Sequence, residues 1–284
     1  MRIFVAGATG LIGRRLAGLL VAEGHHVVGL TRSPERAAWL RALGAVPAVA
    51  DAHDRAAVMK EVANAAPDVV VHQLTDLSAG DPRANAALRK AGTRNLVDAA
   101  MAAHVPRMVA QSIAWAYEPG AAPACEQTPL DLHAPEPRHT TVSGVTALEA
   151  AVAEMPEWVV LRYGLLYGPG TWYARYGLYA REAHAGQLGA DDNVTSFLHV
   201  EDAAEAAAQA LSWPSGTVNV CDDEPAPARE WVPAFCRSVG APPPAEAPPG
   251  PRNGWARGAD NRHARADLRW QPRHPSWREG FAHL

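Results

Sequence analysis

Ile3-Phe4-Val5-Ala6-Gly7-Ala8-Thr9-Gly10-Leu11-Ile12-Gly13 is the stretch whose reading decides the fold. An apolar run breaks into three glycines with two residues between each and the next, and apolar character resumes at Leu16-Ala17-Gly18-Leu19-Leu20. A strand, a tight turn and the start of a helix is the economical reading. Glycine supplies the turn dihedrals and lets a ligand approach the backbone with no Cβ in the way. The unsatisfied N–H groups at a helix start favour an anion such as a pyrophosphate. Alone, a Gly-rich turn is a weak signal. At the head of a strand–helix–strand unit it reads as a dinucleotide site, with Gly7, Thr9, Gly10, Leu11, Ile12 and Gly13 as contacts. The competing reading is an ordinary tight strand–helix turn.

Strand and helix patterns alternate outward from this stretch. Strands are expected at Ile3–Ala6, His26–Leu30, Pro47–Ala50, Asp68–Gln73, Arg107–Gln111 and Trp158–Arg162. Helices are expected at Leu11–Glu23, Pro34–Leu43, Arg55–Ala65, Pro82–Ala103 and Thr141–Glu154. The strands are Val-rich on both faces, as when helices cover both sides of a parallel sheet. The expectation is an α/β fold: a doubly wound parallel Rossmann sheet with a small C-terminal substrate-binding cap. The Rossmann domain is assigned to residues 1–165, with 195–222 returning to it, and the cap to 166–194 and 223–284. Beyond Arg162 a helix is expected at Trp172–Ala185, a short strand at Phe197–Val200, a helix at Asp202–Leu211, a strand at Val218–Val220 and a last helix from Trp277. Ala241–Pro251 is a Pro-rich connector with little capacity for regular structure.

Composition narrows the function classes. The chain has 284 residues, enough for a large core, and its 48% apolar and 20% charged content is ordinary for a globular protein. A net charge of −4 gives no reason to expect nucleic acid or an anionic membrane as partner. Met1-Arg2 leads straight into a strand, so no secretory leader is expected, and the apolar runs are too short to span a bilayer. Cys125, Cys221 and Cys236 are odd in number and widely spaced, suggesting neither a disulfide framework nor a metal site. A reducing cytoplasm is the expected setting.

The tip of the second strand carries the cofactor choice. In a dinucleotide fold an acid there accepts from the 2′-hydroxyl of NAD, whereas an arginine accommodates the 2′-phosphate of NADP. Here the strand ends Val27-Val28-Gly29-Leu30-Thr31-Arg32-Ser33, with Arg32 as its charged group and Arg14 able to add a second. Arginine suits bidentate phosphate contacts. The expected cofactor is therefore NADP(H) rather than NAD(H), a solvated turn residue being the plain alternative for Arg32. Asp51 either accepts from the adenine amine or caps the next helix. Gln73 and Leu74 end the fourth strand, where ligands gather in such sheets.

The chain resembles the extended or atypical branch of the short-chain dehydrogenase/reductase superfamily, the NAD(P)-dependent epimerase/dehydratase group, over nearly its whole length. Gly7-Ala8-Thr9-Gly10-Leu11-Ile12-Gly13 matches that branch's glycine pattern, and Gly92-Thr93-Arg94-Asn95-Leu96-Val97-Asp98-Ala99-Ala100 its fourth-helix signature. Leu161-Arg162-Tyr163-Gly164-Leu165-Leu166-Tyr167-Gly168-Pro169-Gly170 resembles the segment bordering the nicotinamide, which makes Tyr163 a cofactor contact. Phe197-Leu198-His199-Val200-Glu201-Asp202-Ala203-Ala204 and Leu268-Arg269-Trp270-Gln271-Pro272 resemble its late strand–helix junction and its tail.

The resemblance also says where the chemistry should be. The family uses a Ser or Thr after the fifth strand and a Tyr-x-x-x-Lys on the next helix; the tyrosine moves the proton and the lysine holds the nicotinamide ribose. Ser112 falls within one residue of the serine position. Anchored on Glu149, the tyrosine position is Thr141 and the lysine position Val145. Lys60 and Lys90 are the chain's two lysines, and the residues four before them are Ala56 and Ala86, so no Tyr-x-x-x-Lys exists anywhere. Tyr117, Tyr163, Tyr173, Tyr176 and His199 are replacement acids by proximity to strand ends, with Ser112, Tyr117 and Tyr173 taken as the catalytic set. Alternatively the substrate needs only hydride delivered to an activated carbon. The leading expectation is an NADP(H)-dependent oxidoreductase on a small or sugar-like substrate. A catalytically silent NADP(H)-binding regulator and a non-redox isomerase or lyase are the alternatives. A homodimer through a four-helix interface is implied by the resemblance.

Overall fold

The computed structural model describes residues 1–77, 80–244 and 250–284, so part of the expected Pro-rich connector lies outside the described residues. The chain alternates β1 (Arg2–Ala6), α1 (Gly13–Ala22), β2 (His26–Thr31), α2 (Pro34–Leu43), β3 (Val46–Val49), α3 (Arg55–Ala65) and β4 (Val69–His72). It continues through α4 (Pro82–Ala87), a π turn (Leu88–Gly92), α5 (Thr93–Ala102), β5 (Arg107–Ile113), α6 (Arg138–Val152), β6 (Glu157–Tyr163), β7 (Leu165–Tyr167) and α7 (Leu178–His184). Then come β8 (Val194–Thr195), β9 (Phe197–His199), α8 (Val200–Gln209), β10 (Gly216–Val220), β11 (Ala226–Pro227), α9 (Ala228–Val239), a second π turn (His263–Asp267) and α10 (Trp277–Ala282).

Seven strands form one sheet in the order β10-β6-β5-β4-β1-β2-β3. β1 pairs in parallel with β2 on one side (Phe4 opposite Val28) and with β4 on the other (Phe4 opposite Val70). β2–β3 and β4–β5 are also parallel. Strand order reverses between β1 and β4, so the loops leaving these two strands diverge and open a crevice at their carboxyl ends, the place where such sheets bind ligands. This is the doubly wound Rossmann architecture expected from the alternation.

By contacts the chain divides into two compact units, the first comprising 1–112, 132–161 and 204–217 and the second 113–131, 162–203 and 218–284. The first unit's core is aliphatic. Phe4, Val28, Leu30, Val58, Val62, Val70, Leu96, Met108, Leu148 and Val160 pack from both sides of the sheet. Its helix starts are capped by side chains: Ser33 accepts from Arg36 N–H, Asp54 from Ala57 N–H and Asp81 from Arg83 N–H, so the cap offered to Asp51 falls to Asp54 three residues on. Each such cap is worth about 1 kcal/mol.

The second unit holds two small ladders, β7–β9 parallel and β8–β11 antiparallel, around a core built from Tyr167, Tyr173, Phe197, Trp231, Phe235, Trp277 and Phe281. The segments resembling a late junction and a tail meet within it. The fully buried Asp202 carboxylate accepts from Arg273 N–H (2.8 Å), His274 N–H (3.0 Å) and His274 Nδ1 (3.1 Å).

Several elements depart from the sequence expectation. The helix expected from Leu11 starts at Gly13, because the glycine loop uses the intervening residues for its turn. The helix expected over Pro82–Ala103 is broken by its π turn. The one expected from Trp172 begins only at Leu178, after a turn so tight that a Cβ on Gly177 would lie 2.2 Å from Trp172 O. Helix α9 was not expected at all; it tolerates Pro233 in its interior.

Candidate active site

The first unit builds a site at the β1 and β4 exits. Gly7 sits at φ +84°, and a Cβ there would lie 2.7 Å from Gln73 O. A Cβ on Gly13 would lie 2.1 Å from Gly7 O, so the loop folds tightly on itself and against the end of β4. Gly10 N–H donates to Gly7 O at 2.9 Å. Helix α1 then begins with no side-chain cap at Ile12 and no acid in its first turn. An uncapped, acid-free helix start of this kind favours an anion.

The loop is tied to the tip of β2. Thr9 Oγ1 lies 3.2 Å from Thr31 Oγ1, which in turn accepts from Ser33 N–H at 3.2 Å. Arg32 projects from this tip with its side chain 68% exposed, its nearest acid being Asp76 at 3.8 Å. That separation in solvent leaves the guanidinium accessible to a ligand. Asp51 is exposed and accepts from His53 N–H at 2.9 Å, while the cap of α3 is Asp54.

At the end of β4 the polar groups are buried. Gln73 is 5% exposed, and neither its side-chain oxygen nor its nitrogen has a hydrogen-bond partner among the described residues. Leu74 N–H donates to His72 Nδ1 at 3.1 Å, which puts the imidazole proton on Nε2, 2.8 Å from Thr93 Oγ1. Burial, and then the charge of Arg89, lowers the His72 pKa to about 4. Ser112 is buried at the end of β5 and donates to Glu149 Oε1 at 2.6 Å. On α6 the tyrosine position holds half-buried Thr141 and the lysine position fully buried Val145. The close glycine turn, the uncapped helix start and the orphaned Gln73 amide fit a dinucleotide whose phosphates rest on the loop.

The second unit holds the remaining sequence candidates. Tyr163 is buried and its hydroxyl donates to Ala203 O at 3.2 Å. Tyr117 is 1% exposed and its hydroxyl donates to Asn219 Oδ1, with the Arg162 guanidinium 4.8 Å from its ring centroid. Tyr173 stacks on Tyr179 (4.2 Å) and meets Phe197, Trp231 and Phe235 edge-on. Burial, with Tyr179 beside it, pushes the Tyr173 hydroxyl well above its usual pKa. Tyr176 is exposed. His199, Glu201 and His274 each place one ligand atom within 4.8 Å of the others, a grouping the sequence does not reveal because His274 comes from the tail.

The profile of the NAD dependent epimerase/dehydratase family matches residues 3–221. The chain belongs to that family. Among curated relatives, a Streptomyces 3-diazoavenalumate denitrifying reductase is 48% identical over 99% of both chains. A Stenotrophomonas maltophilia 2-alkyl-3-oxoalkanoate reductase is 28% identical over 85% of this chain and 77% of its own. A UDP-glucose 4-epimerase from Thermus thermophilus, solved with NAD, superposes with a TM-score of 0.76 at 25% identity, covering 99% of this chain and 97% of that one. As a member of this epimerase/dehydratase family the chain is an NAD(P)-dependent oxidoreductase or epimerase, and among its described residues no helix is long and apolar enough to cross a membrane.

Sequence reading missed the buried polar groups around the site. Arg89 and His72 sit in helical or strand patterns where an isolated polar residue reads as surface. The loop signature was visible because its glycines carry their own conformational meaning.

Proposed function

We propose that this chain is an NADP(H)-dependent reductase that removes nitrogen from a small diazo-substituted aromatic compound. The observation that carries the reading is Thr141 and Val145 standing where the family's tyrosine and lysine belong, in a chain so similar to a reductase named for denitrifying a diazo compound. The first unit's loop, Gly7 and Thr9 to Gly13, holds the pyrophosphate, Arg32 takes the 2′-phosphate, and Gln73 and Leu74 line the nicotinamide side. When bound, the cofactor supplies a hydride, and at a diazonium carbon a C–H bond forms as the C–N bond breaks, dinitrogen leaving with that bond's electron pair. Such an acceptor needs no proton at the reacting carbon, so the tyrosine that serves carbonyl substrates has no task here. Ser112 agrees with this: its hydroxyl proton is committed to Glu149, so its oxygen offers a lone pair and not a donor.

The test pairs NADPH absorbance with headspace mass spectrometry. An ortho-hydroxyaryl diazonium acceptor should consume NADPH and release dinitrogen in equal amounts, with NADH much poorer. UDP-glucose and simple ketones should leave NADPH unchanged. Tight NADPH binding with no turnover on any diazo acceptor, or faster turnover on a ketone, overturns the reading.

A further inference from the structure

Arg89 is 5% exposed, and among the described residues no hydrogen bond or ion pair reaches its guanidinium. A guanidinium carries five N–H donors and keeps its charge. Burying it without acceptors is costly, so such a group persists where something else supplies them. Desolvation brings its pKa down to about 10, opposed by the charge of Glu149.

Its neighbours fix its place. Arg89 lies in the π turn between α4 and α5, and π turns recur at functional sites because they re-aim side chains. The π turn packs against α6. On α6, Val145 and Glu149 are four residues apart and share one face. Glu149 is the carboxylate that acts on Arg89, and His72, at the end of β4, is the imidazole that feels its charge. The buried cation therefore stands between the end of β4 and the helix face where the family's lysine would be. Gln73, the residue after His72, is the second buried polar side chain here whose donors and acceptor are unmet.

We infer that Arg89 takes over from the absent lysine, donating to the ribose and amide oxygens of the cofactor's nicotinamide half from the π turn and not from α6. This rests on the nucleotide reading above. It makes Arg89 a chain-specific replacement, with Gln73 as its companion.

Binding separates this inference from the reading beneath it. The full chain and its Arg89→Met and Arg89→Lys variants are titrated with NADPH and with 2′,5′-ADP, which lacks the nicotinamide half, and each apo protein is melted. Arg89→Met should weaken NADPH by at least about tenfold, the loss expected for a charged donor to a buried acceptor. Its 2′,5′-ADP affinity should be unchanged and its apo Tm equal or higher, because an uncompensated buried charge is gone. Arg89→Lys should recover part of the NADPH affinity. Unchanged NADPH binding by Arg89→Met, or equal losses of both ligands with a lower apo Tm, overturns the inference and makes Arg89 structural. If the wild type itself binds neither ligand, the nucleotide reading fails first and this inference falls with it.

Discussion

The first unit has an aliphatic sheet core, and at its glycine loop the polar work is done by backbone. Gly7, Gly10 and Gly13 shape a cradle, and side chains enter only at its margins. The second unit inverts this. Its core is aromatic, with Phe197 meeting Tyr167, Tyr173, Trp231 and Phe281 at centroid separations of 5.2 to 6.2 Å, and its loops are pinned by buried carboxylates and amides. Asp202 holds the tail, and Asn219 joins Tyr117 to the backbone of Ala124 and Asp260. Backbone architecture of the first kind is shared by many proteins and binds a shared ligand. Side-chain architecture of the second kind can vary while the fold is kept, and function is read from such sites and not from the fold.

The largest break in this comparison comes from placing a charge in the cradle. Gly10→Asp puts a carboxylate beside an uncapped helix start, where the anion of the cofactor is expected. NADPH affinity should fall by more than about a hundredfold through like-charge repulsion and occupation of the helix-dipole site. The circular dichroism spectrum should hold and Tm fall only slightly: a Cβ at Gly10 has one close neighbour, Gly7 O at 3.1 Å, a tight contact relieved by a shift of a few tenths of an ångström. Retained nucleotide binding in a folded variant would remove the loop from the site.

A smaller and more selective effect belongs to Arg32. Arg32→Ala removes an exposed group with no structural partner closer than Asp76, so stability should change little. NADPH should weaken by about ten- to a hundredfold while NADH binding stays put, a charge-assisted pair being worth about 1.5–3 kcal/mol. Equal losses for both nucleotides would deny Arg32 the 2′-phosphate.

The same contrast governs how much the sequence reveals. In the first unit α2 and α3 fall on the expected Pro34–Leu43 and Arg55–Ala65, and the caps that start them, Ser33 and Asp54, are local chemistry. The glycine loop is local too. Asp202 and His274 lie 72 residues apart, and no periodicity links them. Tyr173 reads as the start of a helix near a strand end, yet its ring belongs to the aromatic core, a fact set by α9, whose Pro233 hides the helix from pattern reading. Arg89 looks like one more solvated helix residue until the π turn and α6 bury it. What stays illegible is burial decided by distant partners, and the candidate site draws on it more than the fold does.

The smallest effect gives the two units opposite dependences on pH. In the first, His72 is held neutral, its pKa lowered to about 4 from 6.5 by burial. Its contribution to stability is complete above the unfolded value and is lost as pH falls from there through 4. In the second, burial raises the Asp222 pKa from 3.8 to about 8, against the Trp277 N–H that its Oδ2 accepts at 2.8 Å. That contribution is complete below 3.8 and is lost as pH rises through 8. The two windows overlap: between about 4 and 6.5 the opposing slopes cancel, so the melting temperature should be nearly level there and decline along an alkaline arm between 6.5 and about 8 that belongs to Asp222. Asp222→Asn keeps an acceptor for Trp277 and removes the ionisation. It should remove the alkaline arm, a change of a few degrees up to about pH 8, and uncover a decline below 6.5 that belongs to His72. An unchanged alkaline arm in Asp222→Asn would mean that the carboxylate is already ionised in the folded second unit, and the contrast with His72 would then be one of packing alone.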